Sequence, residues 1–187
     1  MHAYLSNLDY HLFLAVNSVT KSGSLNNLYI FLAVGLAYVM PAILLVWLFV
    51  VKQKYVPVKA VILAVLAALL ARWVMKPIIT LFAFRNRPYI AHEVHKIISK
   101  SNNQASFPSG HALAMFAIAS VVYCYNKKMG ILMYILAALT ALNRVVVGVH
   151  YPSDVIAGAI LGILAGLLTV KLLDHRIERF LPFTKKL

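Results

Sequence analysis

Five long apolar runs leave this chain few folds to adopt. They lie at about 27–51, 56–84, 111–125, 129–142 and 153–173. A hydrocarbon core of about 30 Å is crossed by about 20 apolar residues in a helix. Inside lipid every backbone N–H and C=O needs a protein partner, so only helices and closed barrels span it. A barrel would show alternating strands of about ten residues, whereas these runs are continuous. Pro41 is expected to kink the first run. Arg72, Lys76 and Pro77 interrupt the second. The third is short and borrows its polar first turn.

Composition narrows the choice further. The 187 residues are 62% hydrophobic and only 12% charged, with 18 Lys or Arg against 5 Asp or Glu, a net charge of +13. A soluble domain is about a quarter charged. A nucleic-acid binder would share the basic excess but not the hydropathy, so no nucleic-acid partner is expected. The apolar content excludes disorder. The single cysteine, Cys124, excludes an intramolecular disulfide and a cysteine metal cage.

The expected fold is all-α and integral to the membrane, one domain over 1–187 with about five transmembrane helices. No cleavable signal sequence is expected, because Ser6, Asn7, Asp9, His11 and Asn17 punctuate the first run of residues. Residues 7–20 place Leu8, Leu12, Val16 and Val19 at helical spacing and read as an amphipathic helix at the interface. Full insertion of that segment would make it a sixth span.

Five spans place the termini on opposite sides. Loops 52–55 and 126–128 and the tail 174–187 share one side. That side collects Lys52, Lys54, Lys59, Lys127, Lys128, Lys171, Arg176, Arg179, Lys185 and Lys186. The positive-inside rule makes it cytoplasmic. Loops 85–107 and 143–152 then face the periplasm or the exterior.

Those two outward loops carry the chemistry. Ser109 suits a helix N-cap, and Gly110 lets the backbone approach a ligand closely. A helix N-terminus favours phosphate, and His111 projects from that first turn. Pro152 suits the first position of the last helix. Asp154 follows His150 by four residues, so its carboxylate can accept the imidazole N–H, fixing the tautomer and leaving the other nitrogen more nucleophilic. Arg87 and Arg144 offer planar forks for phosphate oxygens. Together these residues make a metal-free phosphoryl-transfer site near one membrane surface.

These residues resemble the type-2 phosphatidic-acid phosphatase superfamily of membrane lipid phosphatases. The family's second motif is present as Pro108-Ser109-Gly110-His111. Its third motif, Ser-Arg, five residues, His, three residues, Asp, is present from Asn143-Arg144 through His150 to Asp154, with Asn in place of the leading Ser. The first motif, Lys, six residues, Arg-Pro, keeps Arg87-Pro88 but has Thr80 in the Lys slot. Lys76, one helical turn earlier, or Arg85 is the candidate to supply that charge. The resemblance covers about residues 70–165. It is nearest to bacterial undecaprenyl-diphosphate phosphatases of the bacitracin-resistance type.

The resemblance implies an inner-membrane enzyme that hydrolyses the terminal phosphate of a polyprenyl diphosphate. His150 would form a phosphohistidine, Asp154 would orient it, and His111 would serve as acid and then base. Arg87, Arg144, Ser109 and Gly110 would hold the phosphate, without metal or cofactor. Lipid A 1-phosphatase and phosphatidylglycerophosphate phosphatase are the alternatives within the superfamily. A transporter would instead spread its charges along a path through the bilayer, often with internal repeats; no repeat is seen.

Other features read more plainly. His92 and His95 lack a convergent third ligand and are expected to line the loop or touch a headgroup. Gly158, Gly162 and Gly166 form a small-residue stripe for helix packing within one subunit. Cys124 is expected to carry no chemistry.

Overall fold

The computed structural model describes residues 2–51, 55–98 and 105–178. Expectations for Lys52, Lys54, Arg179, Lys185 and Lys186, and for loop residues 99–104, lie outside the described residues. Among the described residues the chain is helical, with no strand. Helix α1 spans His2–Asn17 and ends in a 3₁₀ turn at Ser18–Thr20. It is followed by α2 (Asn26–Val50) and α3 (Tyr55–Phe82), then by the short α4 (Pro88–Ala91). Three helices complete the bundle: α5 (Gly110–Tyr125), α6 (Lys127–Val146) and α7 (Pro152–Glu178). Helices α2, α3, α6 and α7 are long and apolar enough to cross a membrane, and α5 is a shorter apolar helix.

Helix α5 is short and central. Ala112, Leu113, Ala117, Ala119, Val121 and Val122 are fully buried on it, so it is wrapped on most sides rather than amphipathic. Its small residues admit close neighbours. A Cβ on Gly162 would stand 2.4 Å from the Leu113 carbonyl oxygen, and one on Gly166 would stand 2.5 Å from that of Ala117. The glycine stripe of α7 therefore packs on α5 within the subunit, as expected. Asn126 separates α5 from α6, and its side chain caps α6 by accepting from Met129 N–H at 3.0 Å.

The core follows from these contacts. Met40, Leu44, Ala60, Leu63, Ala64, Ala67, Met133 and Ala137 close around α5. Large apolar side chains such as Phe49, Trp73, Leu81, Phe82 and Leu164 point outward, as a bundle solvated by lipid requires. A second cluster of Phe13, Ala112, Ala141, Val145, Tyr151 and Val155 lies at the end of the bundle where α7 begins.

The boundaries differ from the sequence reading in instructive places. Helices α2 and α3 contain π-helical turns, at Phe31–Gly35 and Leu70–Met75, which residue periodicity does not reveal. Helix α6 runs to Val146, four residues past its expected end, so Arg144 sits on its last turn and not in a loop. Helix α7 continues to Glu178, into the expected tail.

The face that α1 turns inward is not its apolar stripe. Asp9, Phe13, Asn17 and Thr20 are buried, whereas Leu8, Leu12, Leu14 and Val19 are exposed. The helix meets the bundle through Phe13, with Tyr10 and Val16 beside it, and through the polar Asp9 and Asn17, and it presents leucines to its surroundings.

Candidate active site

Three helix ends and two loops meet at one end of the bundle. The start of α5 brings Ser109, Gly110 and His111. The last turn of α6 brings Arg144, and the start of α7 brings Asp154. A turn through 147–151 joins α6 to α7 and carries His150. Gly148 makes that turn possible, with φ at +84°, a conformation that L side chains rarely adopt. The backbone of Ser109 donates to the Asp154 carbonyl oxygen at 3.0 Å, which ties the Ser109-Gly110-His111 segment to the His150–Asp154 turn.

His150 is 1% exposed. Its Nδ1 faces Asp154 Oδ2 at 3.5 Å and Ser106 Oγ at 3.4 Å. Its Nε2 lies 3.4 Å from Arg87 Nη1. Burial lowers the imidazole from its ordinary value to about 3, opposed by Asp154 and reinforced by Arg144 and Arg87. His150 is therefore neutral at physiological pH, the form in which Nε2 has a lone pair to give.

Asp154 is fully buried and held from several directions. Its Oδ2 accepts from Tyr151 N–H at 2.9 Å and from the Ser106 hydroxyl. Its Oδ1 accepts from Arg85 Nη1 at 3.1 Å. With the carboxylate so fixed, the imidazole is held with Nδ1 inward and Nε2 toward the arginines.

The cations converge on the same place. Arg87 is 1% exposed and donates through Nη1 to the Val149 carbonyl oxygen at 3.0 Å. Burial pulls its guanidinium below the usual arginine value, opposed by the Asp154 charge. Arg144 is fully buried, and none of its three side-chain nitrogens makes a hydrogen bond to the protein. The buried hydroxyl of Ser109 is likewise unbonded, so Ser109 stands at the N-cap position without capping. Buried polar groups are almost always hydrogen-bonded; an unbonded buried guanidinium, a free buried hydroxyl and a helix N-terminus at one end of the bundle are groups that an anion could satisfy.

The departure from the first motif also has a geometric answer. A Cβ on Gly110 would stand 3.0 Å from Arg72 Nη1 and 3.4 Å from Lys76 Nζ. Lys76 therefore reaches the first residue of α5 from one turn below the family's Lys position. Thr80, in that position, donates through its hydroxyl to the Phe107 carbonyl oxygen at 3.4 Å. The π-turn at Leu70–Met75 lies along this charged stretch, and such turns are frequent at functional sites. Arg85 is placed elsewhere, between the Asp9 and Asp154 carboxylates with its guanidinium 3.6 Å over the Tyr151 ring.

Several site residues escaped the sequence reading. Arg72 read as an interruption of an apolar run. Ser106 directly precedes the Phe-Pro-Ser-Gly-His segment but carries no spacing signal of its own. Asp9 read only as polar punctuation, although a carboxylate in an apolar segment is costly enough to be a functional signal. His92 stacks on Tyr10 at 4.0 Å between ring centroids, and His95 Nδ1 meets Thr20 Oγ1 at 2.9 Å. Among the described residues no three His, Cys, Asp or Glu side chains cluster as metal ligands.

A cavity of about 620 Å³ opens beside Arg85, lined by Asp9, Phe82, Phe84, Phe107 and Ser153 among others. Its walls are mainly apolar, and its polar edge is the Asp9–Arg85–Ser153 group.

The chain is similar to known proteins over most of its length. Residues 58–178 match the PAP2 superfamily. The chain is 32% identical over 169 residues to undecaprenyl-diphosphatase BcrC of Bacillus subtilis, covering 89% of this chain and 85% of that protein. It is 34% identical over 165 residues to the bacitracin transport permease protein BcrC of Bacillus licheniformis, covering 87% and 79%. Among solved structures it is similar to Aquifex aeolicus LpxE, with a TM-score of 0.67 and 26% identity over 88% of this chain and 95% of that one.

Proposed function

The chain belongs to the PAP2 superfamily, and from that footing we propose that it removes the terminal phosphate of a polyprenyl diphosphate, converting undecaprenyl diphosphate to undecaprenyl phosphate. That it is a membrane lipid phosphatase follows from the family and from relatives that span most of its length. The observation that carries the finer reading is the buried Arg144 guanidinium. It has no protein acceptor, and it acts with Arg87 on the neutral His150.

The proposed reaction has two steps. Nε2 of His150 attacks the terminal phosphorus, forming an N–P bond as the bridging P–O bond breaks. His111 gives a proton to the departing oxygen, and the lipid monophosphate leaves. His111 then takes a proton from water, whose oxygen attacks the phosphohistidine and releases inorganic phosphate. Asp154 holds Nδ1–H throughout and stabilises the charge that develops on the ring. Arg144, Arg87, Lys76, the Ser109 hydroxyl and the Gly110 N–H hold the non-bridging oxygens. No step requires a metal.

Charge and shape favour the diphosphate. Arg72 and Lys76 extend the cationic lining along α3, which suits two linked phosphates better than one. The apolar cavity beside Arg85 would receive the first part of the lipid chain. A transport reading, raised by the name of one relative, fits less well: the described charged groups lie toward the two ends of the bundle, those of the site at one and Lys59, Lys171 and Asp174 at the other, not along a path through it.

The basic residues toward the other end, Lys59, Lys127, Lys128, Lys171 and Arg176, support a cytoplasmic C-terminus. The site would then face the periplasm or the exterior of a bacterial inner membrane. The test is phosphate release by purified protein from undecaprenyl diphosphate, lipid A and phosphatidylglycerophosphate. Preferential release from the first supports the proposal. Preference for either of the others reassigns the substrate within the superfamily. Thiol labelling of single cysteines placed in 85–98 should succeed from outside; labelling only from the cytoplasm would reverse the orientation.

A further inference from the structure

Helix α1 lies outside the matched family segment 58–178, yet it grips both ends of the catalytic turn. At its C-terminal end Asn17 donates through Nδ2 to the Val146 carbonyl oxygen at 2.8 Å and to that of His95 at 2.9 Å. At its middle Phe13 is fully buried against Tyr151, with ring centroids 5.7 Å apart. At its N-terminal half Asp9 accepts from the Ser153 backbone N–H at 2.9 Å and from the Ser153 hydroxyl at 2.5 Å. Val146 and Ser153 bracket the turn that carries His150.

Asp9 does more than close this clamp. Its Oδ2 also takes Arg85 Nη2 at 2.7 Å, while Arg85 Nη1 reaches Asp154 Oδ1 at 3.1 Å. One guanidinium is thus shared by two carboxylates, one of them the partner of His150. The fork geometry fixes Arg85 bidentately, and Tyr151 lies flat beneath it. Without the Asp9 charge, Asp154 would be the one carboxylate left to Arg85, which also donates to the Ser153 hydroxyl at 2.7 Å. The Asp154 carboxylate would be drawn toward Arg85 and away from Nδ1 of His150, and more of its charge would be neutralised. Asp9 also supplies an anion at the N-terminus of α7, where the exposed N–H of Ser153 favours one.

We propose that Asp9 is a positioning residue for the phosphatase reaction: it holds Arg85 in place and so sets how Asp154 supports His150, with α1 as the strut that fixes the catalytic turn. The inference rests on the phosphohistidine reading for the role of His150. It identifies the N-terminal helix as part of the working site as well as a surface-lying segment.

The test compares Asp9→Asn, Asp9→Glu, Arg85→Gln and the double variant Asp9→Asn/Arg85→Gln in the full-length chain, using whichever lipid of the panel the wild type turns over. Wild-type turnover and its loss in His150→Ala are read first, so failure of the nucleophile assignment shows there and not in the Asp9 ratios. Asp9→Asn should lower kcat by about ten- to a hundredfold with KM changed by less than about threefold, while Tm stays close to wild type. Asp9→Glu, which keeps the charge, should recover part of the loss. The double variant should be within about twofold of Arg85→Gln alone, because the two residues act through one contact. Multiplicative losses in the double variant would overturn the proposal. So would an unchanged kcat in Asp9→Asn, or a fall that only tracks lost folded protein and is not eased by Asp9→Glu.

Discussion

Nδ1 of His150 stands 3.5 Å from Oδ2 of Asp154, and both side chains are closed off from solvent. The pair sits where α7 begins, so the carboxylate is fixed by backbone as well as by side chains: Tyr151 N–H holds the same oxygen. The imidazole is thereby set in one orientation, with Nε2 toward Arg87.

Burial keeps that imidazole neutral, with its value lowered to about 3. The folded protein resists a proton that the unfolded chain accepts near the ordinary histidine value of about 6.5. Stability associated with neutral His150 is therefore complete above about pH 6.5 and is lost progressively as pH falls toward about 3. Melting curves between about pH 7.5 and about pH 4.5 should show a steeper loss of Tm for wild type than for His150→Gln. Parallel pH dependences would contradict the burial of this ring.

Arg144 should separate activity from stability. Its guanidinium is fully buried and makes no hydrogen bond to the protein, so it costs the fold more than it contributes. Arg144→Met is expected to lower kcat/KM by about a hundredfold or more, as the loss of a preorganised oxyanion contact does. The same change should leave Tm unchanged or raise it. A clear drop in Tm would mean that the charge has a structural role.

Lys76 and Thr80 allow a positional rescue. Lys76→Ala should lower kcat/KM by about tenfold, the scale of one lost charge-assisted phosphate contact. Adding Thr80→Lys, which restores the family's first-motif position one turn along α3, should recover part of that loss. No recovery, with folded protein, would argue that Lys76 and the family lysine serve different oxygens.

The legibility of this chain was uneven for physical reasons. Span number and order could be read because lipid leaves the backbone no alternative to long apolar helices. Ser109, Gly110 and His111 at the start of α5, and Asp154 in the first turn of α7, stand where their spacing put them, since contiguous positions on a helix start keep their geometry wherever the helix lies. Arg144 was misplaced by one element, because an arginine at the end of an apolar run looks like a loop residue when its burial is unknown. Arg85 looked like a phosphate ligand by charge, whereas its position between Asp9 and Asp154 depends on how α1 docks. Asp9 and Arg72 were missed because their partners are separated from them in sequence by 144 or 38 positions, as in Asp9 to Ser153 or Arg72 to Gly110. The π-turns were invisible, since one inserted residue leaves the apolar pattern of a lipid-facing helix intact.

Packing between α5 and α7 carries the site as a unit. A Cβ on Gly162 would meet the Leu113 carbonyl oxygen at 2.4 Å and Phe116 Cβ at 3.0 Å. Gly162→Ala should therefore force the helices apart, lowering stability by about 1–3 kcal/mol. Because α5 carries His111 and α7 carries Asp154, kcat should fall as well. Thermal melting and turnover of Gly162→Ala, beside Lys128→Ala at an exposed surface position as a control, check this. Equal behaviour of the two variants would contradict the close helix contact.

The central claim is that His150 carries the phosphoryl group between the lipid and water. The most direct measurement is rapid alkaline quenching of wild-type protein during turnover of undecaprenyl diphosphate radiolabelled in its terminal phosphate, followed by peptide mapping. The account predicts transient label that is stable to base and labile to acid, on the peptide containing His150. Full phosphate release with no protein-bound label at any quench time, or label on a peptide without His150, would contradict it.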